Sequence, residues 1–232
     1  MNKLCEALLS KTKTAVRLRE SGDIKKSGKL FAEISANLKT LKSSSDSQDQ
    51  DAYIQIIGEI VIQYRHEGKN SYLQALNLAR SVYQYAKQKV RKNPVAVRAV
   101  SNTLMDLESY ELAEKYLREM LSLIPSEETA KLGDTQAHLA KCLYRTSKID
   151  EAEKQIEQAL FKIDMNNGSS SKMHIVVWKS YALCVKALIL NSKGQIKEAI
   201  KEAEQAHQLA KKEHLAMRIE EAKQILEYLR SE

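Results

Sequence analysis

The chain has 232 residues, a formal net charge of +7, 43% hydrophobic residues, and only 7 glycines and 2 prolines. So few breakers over that length exclude a loop-rich or sheet-rich chain, because interior Pro and Gly are what a helix tolerates least. The apolar share is enough for a sizeable core.

In chain order, the first expected element is a helical hairpin over 2–41. It turns at Gly22-Asp23, with Asp23 as a helix cap. Residues 42–50, all polar, read as a loop. A second hairpin is expected over 51–90, turning at Gly68-Lys69-Asn70, and holding Tyr53, Tyr64, Tyr72, Tyr83 and Tyr85. Of these, Tyr85 lies off the apolar stripe and is expected to be exposed. The third hairpin covers 94–124: Pro94 suits a first helical position, and the turn falls near Ser109. The fourth covers 126–164 and opens with Ser126-Glu127-Glu128, acids that complement the helix dipole. It turns at Ser147-Lys148. Asn166–Ser171 reads as a second loop. The fifth hairpin covers 172–211, and a last amphipathic helix over 213–230 reads as a cap on the final repeat.

One phrase recurs five times: an apolar residue, then a small one three positions on, then an apolar one four further. The instances are Ile24–Ser27–Phe31, Tyr72–Ala75–Ala79, Tyr110–Ala113–Leu117, Ile149–Ala152–Ile156 and Ile196–Ala199–Ala203. These offsets place each set on one helical face, and the small residue lets a neighbouring helix approach closely. Five copies make a repeat array, in which each hairpin buries its stripe only against its neighbours. The expected fold is therefore all-α: a solenoid of about five hairpins plus a capping helix, forming one repeat domain over 1–232.

In the third, fourth and fifth hairpins a small first-helix residue (Ser101, Ala140, Ala187) precedes the second-helix one (Ala113, Ala152, Ala199) by 12 positions. Ala15 and Ser27 repeat this in the first. Pro125 closes a repeat, and Tyr110 is placed to pack between helices. With these features the chain resembles the tetratricopeptide repeat family, in divergent form. It lacks the family's early tryptophan, and its small first-helix residue is never glycine. The second hairpin departs further, its turn being about two residues longer. The resemblance implies a right-handed superhelix whose groove, lined by the first helix of each hairpin, holds peptides or partner proteins.

On that reading the groove-facing residues are Arg98, Asn102 and Met105 in the third hairpin, and Asp134, Ala137, His138, Lys141 and Arg145 in the fourth. Arg98 and Asn102 share a helix face, as do Lys141 and Arg145. With His138 they make a cationic, hydrogen-bonding strip suited to an acidic peptide or a free C-terminal carboxylate. The candidate partner-binding set is Arg98, Asn102, His138, Lys141 and Arg145. The fifth hairpin offers Tyr181 and Val185 where a full carboxylate clamp would want a further basic residue.

Residues 1–45 hold ten Lys/Arg against four acids. That makes nucleic-acid association the alternative reading, although aromatics are not interleaved with the charges. A peptide-sensing regulatory module is a further alternative. No HExxH, GxSxG, phosphate loop or GxGxxG occurs, so no catalysis, cofactor or metal is expected. Cys5, Cys142 and Cys184 have no CxxC or Cys/His spacing, which argues against structural zinc and for a reducing compartment. The N-terminal residues lack a signal-peptide pattern and no 18-residue apolar run stands out. The expectation is a cytoplasmic protein with no membrane partner.

Overall fold

The computed structural model describes residues 3–89, 93–168 and 170–231. Among these residues there are twelve α-helices and no strand. The helices are α1 (Lys3–Glu20), α2 (Ile24–Ser35), α3 (Leu38–Ser43), α4 (Ser47–His66), α5 (Tyr72–Gln88), α6 (Pro94–Asp106), α7 (Tyr110–Leu121), α8 (Thr129–Arg145), α9 (Ile149–Asp164), α10 (Lys172–Ser192), α11 (Ile196–Lys212) and α12 (Ala216–Ser231). They divide into two compact units, Met1–Ser109 and Tyr110–Glu232.

In the first unit α1 pairs with α2, α4 with α5, and α4 also lies against α1 and α6. In the second, α8 pairs with α9 and α10 with α11; α10 also touches α8 and α12. The five small residues of the repeated phrase are completely buried, as are Ala15, Ser101, Ala140 and Ala187. Where the first pair meets, the Ser27 hydroxyl lies 2.8 Å from the Ala15 carbonyl oxygen and 2.8 Å from Gln63 Oε1. Gly133 serves the same end on α8: a Cβ there would sit 2.6 Å from the Ala159 carbonyl oxygen on α9.

The repeat extends to the turns. A residue with positive φ stands five positions before the small residue in four hairpins: Gly22, Glu108, Ser147 and Gly194. After it, an amide reaches back five residues to the helix end: Asp23 to Leu18, Ser109 to Leu104, Lys148 to Leu143 and Gln195 to Leu190, at 2.8–3.0 Å. His214 and Leu215 repeat the device between α11 and α12. This is the left-handed stop that satisfies orphan carbonyls at a helix end. Glycine suits it without cost; Glu108, Ser147 and His214 adopt it against their Cβ atoms. The second hairpin differs: Gly68 carries the positive φ, and a 3₁₀ turn, Lys69–Ser71, adds the extra residues.

Three expectations are corrected. The helix expected to run on to 41 breaks at Ala36-Asn37, where α3 begins. The expected loop 42–50 shrinks to Ser44–Asp46, because the Asp46 carboxylate accepts from the amides of Gln48 and Asp49 and starts α4 early. Tyr85, expected at the surface, is 8% exposed: it meets Tyr53 edge-on at 4.9 Å and donates to the Lys42 carbonyl oxygen at 3.0 Å. Finally, α10 is long and apolar enough to cross a membrane by length and composition. Here it is the central helix of the second unit, touching α8, α9, α11 and α12.

Candidate functional site

Each candidate residue sits on the first helix of a pair. In the first unit, Asn93 caps α6 by accepting from the Val95 amide, with Pro94 at the first helical position. Arg98 is half-buried. Asn102 and Met105, expected to line a groove, are buried. The reason is that α6 is apolar or small nearly all round from Ala96 to Met105, so α4 and α5 cover more than one of its faces.

In the second unit, Asp134 and Ala137 are fully buried rather than presented. His138, mostly buried, and Lys141, half-buried, converge on one ring, Tyr181 of α10. The His138 ring stacks on it with centroids 4.4 Å apart and planes at 27°. Lys141 Nζ lies 5.6 Å from the ring centroid, and Arg218 of α12 contributes its guanidinium at 5.7 Å. His138 Nδ1 is 2.9 Å from the Asp134 carbonyl oxygen, which can only accept, so Nδ1 carries the proton. The same nitrogen is 3.6 Å from the buried Asp134 carboxylate. Three alternate helices, α8, α10 and α12, therefore build one patch: an aromatic platform flanked by two cations and an imidazole. Arg218 is also paired with Glu221 of its own helix at 2.5 Å, so Lys141 brings the charge that the patch presents to an anion while Arg218 closes its edge.

Arg145 does not join this patch. Its guanidinium lies 5.0 Å from the Tyr110 centroid, on the side of α7. Nothing in the sequence marks Arg218, because the last helix reads as a cap. The signal was its position on an element following α10 as α10 follows α8. Tyr181 looked like a gap in a basic series; it is the residue on which the cations rest.

The other helices of this unit carry ion pairs. Glu114 of α7 is held by Lys148 and Arg118 at 2.9 Å, and Arg118 also reaches Glu151. Burial pushes the Glu114 carboxyl up, but the hydrogen bonds from Lys148 and Arg118 outweigh it and its pKa falls below the usual value. Burial raises the Cys142 thiol to about 12 and lifts Cys184 further, so neither is a ready nucleophile. Ser171 and His174 lie 3.0 Å apart, yet the serine is the cap of α10 and accepts the His174 amide.

No family model matches the chain, and no curated protein matches it in sequence. Solved structures do match. A kinesin light chain candidate of Podosopora anserina with nearly identical TPR-like repeats superposes with a TM-score of 0.57 at 16% identity, over 91% of this chain and 99% of that one. BtubC (BKLC) of P. vanneervenii gives 0.60 at 15% identity, over 90% and 91%. A MamA RS-1 double mutant gives 0.51 at 11% identity, over 92% and 98%. The fold is that of a tetratricopeptide-like helical repeat. At such identities the likeness is one of fold, and the chain is a divergent example of it. The tetratricopeptide-like frame explains why the patch forms on α8, α10 and α12, successive elements of one row.

Proposed function

We propose that this chain is a non-catalytic protein-binding module, and that the face of α8, α10 and α12 is where it takes a partner. The carrying observation is the convergence of His138, Lys141 and Arg218 on Tyr181. An extended segment bearing an acidic side chain or a free C-terminal carboxylate fits this chemistry: the cations meet the charge and the ring supplies apolar area. Arg98 of the first unit, half-buried on α6, is a separate candidate contact.

The test is capture of partners from an extract of the source cell, comparing the native chain with Lys141→Glu/Arg218→Glu. The reading expects a partner retained by the native chain and lost by the variant at unchanged thermal stability. Retention of the same partner by both proteins overturns it.

Charge distribution favours a second reading for the first unit. Residues 1–109 hold 18 Lys/Arg against 11 Asp/Glu, a net of +7, whereas 110–232 hold 19 of each. The whole net charge lies in the first unit, which is the footprint of a polyanion-binding surface. Retention on heparin that falls steeply with salt, carried by 1–109 charge reversals alone, supports this reading; salt-insensitive retention rejects it.

A further inference from the structure

The tyrosine-rich second hairpin and the unexpected helix α3 enclose a trough that the partner-binding face does not use. Its floor is one stripe of α4: Tyr53, Ile57, Ile60 and Tyr64, at helical spacing. One bank is Leu38, Lys39 and Lys42 of α3; the other is Leu78 of α5. Its volume is about 330 Å³, at the lower end of the range for small-molecule pockets.

The walls are fixed. Leu38, Tyr53, Ile57 and Ile60 are buried core residues. The Tyr85 hydroxyl ties α5 to the Lys42 carbonyl, and Tyr85 also packs edge-on against Tyr53. The trough therefore exists before anything binds. Burial, with Tyr85 close by, raises the Tyr53 phenol above its usual value, so it stays neutral. Among the described residues, the charged ones lining it are Lys39 and Lys42, both exposed and both cationic.

Shape selects the occupant. Its floor runs from Tyr53 to Tyr64, eleven residues or roughly 16 Å at helical rise, for a volume of about 330 Å³. A helix is about 10 Å across and does not enter such a space, whereas a single hydrocarbon chain lies along it. A chain buried on an apolar floor gains with every methylene removed from water, and the lysines favour an anionic end.

We propose that the trough between α3 and α5 binds the chain of a single-chain anionic amphiphile, a medium-chain fatty carboxylate, with Lys39 and Lys42 meeting its head group. This rests on unit-one geometry alone and stands or falls separately from the partner-binding face.

The experiment titrates dodecanoate, below its micelle concentration, into the full chain by calorimetry. Dodecyltrimethylammonium serves as a chain of equal length and opposite charge. The expected result is saturable 1:1 binding of dodecanoate, about tenfold weaker in Lys39→Glu/Lys42→Glu. Leu78→Trp, which fills the trough from a half-buried rim position, abolishes it. Lys201→Glu/Lys223→Glu, in the other unit, leaves it unchanged. Thermal unfolding of each variant confirms a folded protein. The proposal is overturned by absence of saturable binding, by several equivalents bound, by equal affinity for the cationic chain, or by undiminished binding in either trough variant.

Discussion

The two units solve the same packing problem with different chemistry. In the second, helix pairs meet through alanine and glycine, turns repeat one left-handed stop, and Lys/Arg and Asp/Glu balance at 19 each. In the first, one close approach is made by a serine, Ser27, and another by Ala75, and polar side chains pin the helices. Gln63 is hydrogen-bonded to Ser27, to Glu67 and to the Ile24 carbonyl. Arg19, almost wholly buried, pairs with Glu59 at 2.8 Å and with Glu20 at 3.3 Å. The first unit also breaks the hairpin pattern, with α3 after α2 and a 3₁₀ turn before α5. Regular repeats leave a row of first helices free to present side chains. Irregular ones open a trough and leave surplus charge on the surface.

The largest expected effects break each unit at its own closest approach. Gly133→Val drives a branched side chain into the α9 backbone and should cost about 3 kcal/mol, seen in chemical denaturation and as lost amide protection in α8 and α9. In the first unit, Arg19→Ala leaves Glu59 without its buried cation and should cost about 3 kcal/mol by the same measurement. Ser27→Ala should cost less, about 1 kcal/mol, by leaving Gln63 Oε1 without its donor.

The turns give effects of opposite sign. Ser147→Gly relieves a Cβ held at φ 62° and should stabilise by up to about 1 kcal/mol, while Gly194→Ala, at φ 75°, should destabilise by about the same amount. The contrast is readable as shifts of melting temperature in opposite directions.

The smallest effect separates the units by pH. Glu114 has a lowered carboxyl pKa when folded, so its ion pairs add stability above the unfolded value of about 4.3. That contribution disappears as pH falls through the lower folded value. Glu114→Gln should be less stable than the native chain at pH 7 by under about 1 kcal/mol, with the difference vanishing in acid. A difference that persists at pH 2 contradicts the assignment.

Much of the fold was legible because it rests on spacing. The small residues at 27, 75, 113, 152 and 199 announce the helix contacts, and Gly22 and Gly194 announce two stops. Glu108, Ser147 and His214 adopt the same conformation without a glycine to mark it. The break at Ala36-Asn37 carries no proline or glycine, so α3 could not be foreseen. The site was less legible. His138 and Lys141 follow from helix periodicity, but burial of Asn102, Met105, Asp134 and Ala137 depends on how widely the neighbouring helices cover α6 and α8. Arg218 enters through an element 73 residues beyond Arg145, a contact no local pattern encodes.

The most direct test of the partner-binding face is amide and side-chain NMR of the intact chain titrated with the acidic segment of its captured partner. The account predicts shifts centred on His138, Lys141, Tyr181 and Arg218, and their loss in Lys141→Glu/Arg218→Glu. Shifts confined to other helices, with these four residues unmoved, would contradict it.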